Sequence, residues 1–269
     1  MISIVLPVHN QPSLLREALQ SVQKQSMKDI EVVVVDDGSE ADISHIINEF
    51  GKWARHIRHE ENQGAAAARN TGIEHVNGKF VAFLDADDVW KPTKLEKQLS
   101  VFENSDDNVG LVYTGFIQYE IDGTEWKRYP EARGSIYIDE LERDRIHPTS
   151  TVMIRQNILD EVGGFDTELP SRQDYDLWLR ITEHYKVDYV DEILVDKREQ
   201  PDSISKNFNS RIKGDLAVFE KVKERAAHLD FGARNRIYSY HHHVIGRDYE
   251  SNGNRWKALK HLGLAIVRY

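Results

Sequence analysis

The chain has 269 residues, no cysteine and a formal net charge of −10. Disulfides and thiolate metal sites are thereby excluded, and the negative balance argues against general nucleic-acid binding. No apolar run approaches the roughly 20 residues of a membrane span. "MISIVLPVHN" lacks the basic leader and long apolar region of a signal peptide, so a cytoplasmic protein is expected.

In chain order, Ile2 to Val8 reads as a strand, and Pro12 opens a helix with Leu14, Leu15, Ala18, Leu19 and Val22 on one face. "IEVVVVDDGS" is a β-branched strand that ends at Asp36, Asp37 and the turn residue Gly38. A helix around Ile43 to Phe50 and a short strand near Ile57 follow. "NQGAAAARNTG" is a glycine turn leading into an alanine-rich helix that carries Arg69. Phe80 to Leu84 is an apolar strand ending in Asp85, Asp87 and Asp88, and a helix runs from about Pro92 to Asn104. Buried strands alternating with helices predict an α/β fold with a mostly parallel, Rossmann-like sheet flanked by helices. Ligands of such sheets bind outside the carboxyl ends of the strands, so the acidic clusters border one crevice.

The second half is less regular. "VGLVYTGFIQYEIDGTEWKRY" reads as two strands around an Asp122-Gly123 turn, and "TSTVMIR" as another strand. A helix to Val162 stops at Gly163-Gly164, "YDLWLRITEH" has helical spacing, and "KVDYVDEILVDKRE" holds two short strands. Past Ser205 the pattern is helical, near 211–228, 233–250 and 254–268. The expected division is an α/β domain over 1–205, with a regular half over about 1–105 and a less regular half over about 106–205, and a helical extension over 206–269. Charge follows the same division. From Arg234 onward seven Lys and Arg face only Asp248 and Glu250, a net +5 that leaves −15 for the rest.

Three carboxylates in four positions at the mouth of a core strand repel one another. A divalent cation would turn that repulsion into coordination, and hard oxygens suit Mn²⁺ or Mg²⁺. A metal held by one or two carboxylates keeps positions open for water and substrate phosphates. The alternative is an acidic surface turn that caps the next helix. The apolar strand before Asp85 and the second Asp pair at another strand end favour the cation.

"SIVLPVHN", "EVVVVDDGS", "NQGAAAARNTG", "FVAFLDADD", "GGFDTEL" and "QDYDLWLR" stand in the order and near the spacing of family 2 glycosyltransferases. Over roughly residues 1 to 205 the chain resembles that family, which implies a catalytic domain there with a nucleotide-binding half over about 1–105 and an acceptor half over about 106–205. The resemblance implies a GT-A fold and inverting transfer of a sugar from a nucleotide-sugar, most often a UDP-sugar, to an acceptor hydroxyl. It implies that Pro7, Val8 and Asn10 line the nucleoside site and that Asp37 accepts a hydrogen bond from the base. It further implies that Arg69 lies near the nucleotide, and that Asp85-Ala86-Asp87 is the Asp-x-Asp motif, with Asp87 the direct metal ligand beside Asp85. Asp88 is expected to cap the following segment, and Gly163, Gly164 and Phe165 to border the acceptor pocket. Asp174 matches the catalytic base, although Gln173 replaces the usual Glu before it; with no like charge beside it, an ordinary ionised carboxylate is expected. Arg198 would clamp phosphate, while Gln200 stands near the position of a common His, and Ser203 and Ser205 suggest a loop able to close over donor.

A glycan or glycolipid acceptor and polysaccharide or glycoconjugate biosynthesis follow from the same resemblance. A catalytically impaired nucleotide-sugar-binding protein is the alternative, motivated by Gln173 and Gln200. His241, His242 and His243 splay over about 300° of a helix and cannot share one ion; one is expected to pack inward. Residues 254–269 form a basic amphipathic helix. It packs on the body or another subunit, the favoured reading, or lies on an anionic membrane, which would place the protein at its inner face.

Overall fold

The computed structural model describes residues 1–200 and 207–268, without the side chains of 267 and 268. Strands β1 (Ile2–Val8), β2 (Ile30–Asp36), β3 (Ala54–Arg58) and β4 (Phe80–Phe83) run parallel, side by side in the order β3-β2-β1-β4. Their side chains alternate between two cores. Val32 and Val34 pack with Leu15 and Leu19 on one face, Val33 and Val35 with Ala68 on the other. Both faces are covered, which is why the strands read as unbroken apolar runs.

Helix α1 (Pro12–Gln23) starts with Pro at its first turn and buries Leu15, Ala18, Leu19 and Val22. Complete burial of each leucine or valine contributes about 1.5–3 kcal/mol. Helix α2 (Ser44–Asn48) follows β2, and α3 (Ala65–Glu74) follows β3. Gly72 lets α3 lie directly on β1, for a Cβ there would come within 2.3 Å of Val5 Cγ1. Helix α4 (Lys94–Asn104) follows β4 and the two-residue strand β5 (Val89–Trp90).

Strands β6 (Val109–Tyr119), β7 (Glu125–Arg128), β8 (Met153–Arg155) and β9 (Lys186–Arg198) complete the sheet, with β8 antiparallel between β4 and β6. Two expectations are corrected here. Only Met153 to Arg155 of "TSTVMIR" is strand; Thr149–Thr151 is a tight 3-10 turn. "KVDYVDEILVDKRE" is one strand rather than two. Thr114 pairs with Val190 and Gly115 with Ile193, so the exposed Asp191 and Glu192 bulge out of register without ending the strand.

Helices α5 (Tyr137–Glu142), α6 (Gln156–Val162) and α7 (Gln173–Thr182) pack beneath this half. The chain ends in α8 (Phe208–Arg225), α9 (Phe231–Ser251) and α10 (Arg255–Arg268). Leu141, Tyr175, Leu179, Val218, Phe219 and Ile245 form one cluster that joins α5 and α7 to α8 and α9. Two histidines pack inward, not one. His241 stacks on Phe219 at 5.0 Å and its Nε2–H donates to Leu141 O at 2.9 Å, and burial pushes its pKa down to about 4. His242 lies 3.1 Å from His261, and His243 is exposed. Ser203, Ser205 and the expected boundary at 205 lie outside the described residues. No helix among the described residues is long and apolar enough to cross a membrane.

Candidate active site

Because β2, β1 and β4 are adjacent and parallel, their carboxyl ends form one rim. Pro7 and Val8 close β1 opposite Val35 and Asp36. Asn10 adopts a left-handed backbone (φ 53°), takes the Ser39 hydroxyl as acceptor for its N–H (3.0 Å) and accepts from Glu40 N–H (2.8 Å). His9 Nδ1 donates to Asp37 O at 2.7 Å. The two loops are thus stitched together across the rim.

Asp37 is 4% exposed. Its Oδ1 accepts from Gln63 N–H (2.9 Å) and His59 Nδ1–H (2.8 Å), and its Oδ2 from Gly64 N–H (2.8 Å). His59 Nε2 meets Thr71 Oγ1 on α3 at 2.9 Å. A carboxylate offers about four acceptor positions, so three are spent on the turn that aims α3 and one remains. Asp36 instead receives Ser39 N–H at 2.9 Å, closing its own turn.

Arg69, expected near the nucleotide, is 8% exposed, and its Nη2 donates to Asp85 Oδ1 at 2.6 Å. Phe165 supports the guanidinium from 5.3 Å. Asp87 is half-buried; burial first, and Asp85 second, push its pKa up to about 6. Asp88 does not cap α4. It is buried, its Oδ1 receives Arg198 N–H at 3.4 Å, and Oδ2 has no partner among the described residues. Burial, then Asp87 and Asp85, raise its pKa to about 8 against the pull of Lys197. Lys197, which sequence reasoning passed over, faces this cluster. Burial works against its charge, but Asp88, Asp87, Asp85 and Asp174 outweigh it and hold its pKa above the ordinary value.

The 3-10 turn at 149–151 connects the acidic rim to Asp174. Ser150 Oγ accepts from Asp85 N–H (3.0 Å), while the adjacent Thr149 Oγ1 donates to Asp174 Oδ2 (3.2 Å). Asp174 stands in the first turn of α7 and lines a cavity of about 540 Å³ with Asp144, His147, Arg172, Lys197 and Tyr240. It is not the ordinary carboxylate expected. The surrounding protein desolvates it and Asp144 adds a like charge, so its pKa is raised even though Arg69 pulls the other way. Gln173 turns back to Leu169 O at 2.8 Å. Asp215, Val218, Tyr240, His241 and Val244 close the far wall, so α8 and α9 build this cavity together with residues before 200.

Gly163, Gly164 and Phe165 form a fixed bend. Asn70 clamps Phe165 by accepting its N–H (2.7 Å) and donating to its carbonyl (2.8 Å). Arg198 is not brought to the cavity; its guanidinium reaches Glu17 on α1 at 2.5 Å. Strand alternation puts Lys197 and Glu199 on the cavity side and Asp196 and Arg198 on the other.

A profile of Glycosyl transferase family 2 matches residues 3–165. The chain belongs to this family. The glycosyltransferase TuaG of Bacillus subtilis, named for teichuronic acid biosynthesis, is 31% identical over 83% of this chain and 88% of its own. A glycosyltransferase of Rickettsia felis is 30% identical over 78% of this chain, which spans 36% of that relative's length. Among solved structures, Staphylococcus aureus TarS in complex with UDP-GlcNAc superposes with a TM-score of 0.66 at 14% identity, covering 97% of this chain and 89% of TarS. The Pyrobaculum calidifontis mannosyltransferase PcManGT, in complex with GDP-Man and Mn²⁺, gives 0.67 at 16% identity over 99% and 75%. The fold is therefore the GT-A arrangement followed by C-terminal helices.

Proposed function

We propose that this family 2 glycosyltransferase moves a sugar from a UDP-sugar to a hydroxyl of a glycan or glycolipid acceptor, with inversion at the anomeric carbon. The observation that carries this reading is the 149–151 turn. Through Ser150 and Thr149 it ties Asp85 at the donor rim to Asp174 at the cavity wall, so a donor diphosphate and an acceptor hydroxyl would meet between them. The similarity to TuaG favours a surface polysaccharide as the product.

Pro7, Val8, Asn10 and the free acceptor position of Asp37 would hold the nucleoside. Asp85 and Asp87 would suit a hard divalent ion, because Asp87 is desolvated and repelled by Asp85, and a cation between them would relieve both effects. Mn²⁺ or Mg²⁺ held there supplies Lewis-acid neutralisation of the charge growing on the leaving diphosphate. Arg69 fixes Asp85, Ala86 packs beneath the motif, and Lys197 places a cation beside the same charge. Asp174 takes the proton of the attacking hydroxyl, and its raised pKa makes it a stronger base than an exposed aspartate. We divide the chain into a catalytic body over 1–205 and an extension over 206–269 whose first two helices complete the acceptor side.

Nucleoside diphosphate release from UDP-GlcNAc, UDP-Glc and GDP-Man, measured in chelator and after adding Mn²⁺, tests this. Release from a UDP-sugar that is abolished by chelator and restored by metal is expected. Full release in chelator, or none from any UDP-sugar, refutes the reading.

A further inference from the structure

Helix α10 has two faces of opposite character. Ala258 and Ala265 are buried against α9, and Ser239 Oγ of α9 donates to Ala265 O at 2.8 Å. Leu262 fits against Gly246, where a Cβ would come within 2.8 Å of it. On the outer side Trp256 is 86% exposed, Leu259 65% and Ile266 77%. At 100° per residue these three and Gly263 fall within an arc of about 80°. Single exposed apolar side chains are ordinary, but a continuous stripe of large ones marks a contact surface.

Charge identifies the partner. Residues 251–269 contain Arg255, Lys257, Lys260 and Arg268 and no acidic residue, in a chain that is strongly anionic elsewhere. Arg255, Lys257 and Lys260 are exposed. The acids just before them in sequence are taken: Asp248 by Arg211 at 2.9 Å and Glu250 by Arg247 at 3.5 Å. A second copy of the chain fits poorly, because a two-fold contact sets a face against itself and would bring the same cations together. An anionic lipid surface matches both features, acyl chains for the stripe and headgroups for the cations, and tryptophan suits that boundary.

We propose that the outer face of α10 binds an anionic lipid surface, with Trp256, Leu259 and Ile266 entering the acyl boundary and Arg255 and Lys260, which flank the stripe, at the headgroups. Because α9 meets α10 through Ser239 and Gly246 and lines the cavity through Tyr240 and Val244, this docking sets the cavity one helix away from the lipid.

Co-sedimentation of the full chain with phosphatidylglycerol/phosphatidylcholine vesicles, against phosphatidylcholine alone, tests the proposal at low and high salt. Binding to the anionic vesicles alone, weakened by salt, is expected. Arg255→Gln and Lys260→Gln should each lower affinity about fivefold, the usual effect of one basic residue near such a surface. The triple change Trp256→Ala, Leu259→Ser, Ile266→Ser should abolish sedimentation while leaving the melting temperature and donor turnover at wild-type values. No binding at low salt, undiminished binding by the triple variant, or a dimer that the triple variant dissolves overturns it.

Discussion

Replacing Asp37 separates two roles that a single carboxylate at the nucleoside rim could play. If it serves only to accept from a base, Asp37→Ala costs nucleotide affinity and leaves the fold intact. The geometry makes a different demand. Asp37 is 4% exposed and accepts from Gln63 N–H, Gly64 N–H and the His59 ring, all within 2.9 Å. Hydrogen bonds to a charged group contribute about 1.5–3 kcal/mol each, and a buried donor left without a partner pays its desolvation in full. Allowing for relaxation of the turn, Asp37→Ala should lose about 3–5 kcal/mol, a large share of the roughly 5–15 kcal/mol that a typical protein has. At about 2–4 °C per kcal/mol, the melting temperature should fall by roughly 10 °C. Asp37→Asn keeps the Oδ1 acceptor but turns an amide N–H toward Gly64 N–H, so it should show about half the loss. The same turn sets the start of α3, which carries Arg69 to Asp85. Donor affinity should therefore fall too, and fall further on warming. Urea unfolding beside UDP titration well below the transition measures both. A melting temperature within about 1 °C of wild type together with lost UDP binding would refute the anchoring argument.

At Asp174 the expected stability change has the opposite sign. Desolvation and Asp144 raise its pKa, so the folded protein holds that proton more tightly than the unfolded chain. The stability this contributes is complete below the ordinary carboxylate range and is lost as pH rises through the raised value. Asp174→Asn should thus melt above wild type at neutral pH and converge with it in acid, while turnover falls about 10²-fold or more with donor affinity kept. A lowered melting temperature, or wild-type turnover, would move the base elsewhere. Lys197→Met should cut kcat/KM for the donor about 10- to 100-fold, the scale of one charge-assisted contact. Arg198→Ala, which removes a surface pair with Glu17, should change it by less than about fivefold. Steady-state kinetics on the two variants decides which residue of the pair serves the site, and a larger loss at Arg198 would reverse the assignment.

That contrast shows where the sequence stops being legible. The acidic rim could be read because it is built from successive strand–loop–helix units whose carboxylates sit at the end of each apolar run, as Asp85 and Asp87 do after Phe80 to Leu84. Its contacts to Ser150 and to β9 join distant segments and carry no such local signal. Lys197 and Arg198 differ by a single residue on β9, and Leu194 and Val195 just before them are both buried in one cluster, across a second register shift. A strand covered on both sides gives no alternation to tell which face meets the cavity, so register alone decides and register is tertiary. The environment of Asp174 was hidden for a related reason. Gln173 beside it suggested an ordinary ionised carboxylate, yet burial by the surrounding protein and Asp144, thirty residues earlier in the chain, raise its pKa. The cavity joins Gln118 on β6, His147 before β8, Lys197 on β9 and Tyr240 on α9, each from a different element. No local spacing links such residues. In this chain the carboxylates of the rim are local to the strand ends, whereas the cavity beside them exists only once the C-terminal helices have packed.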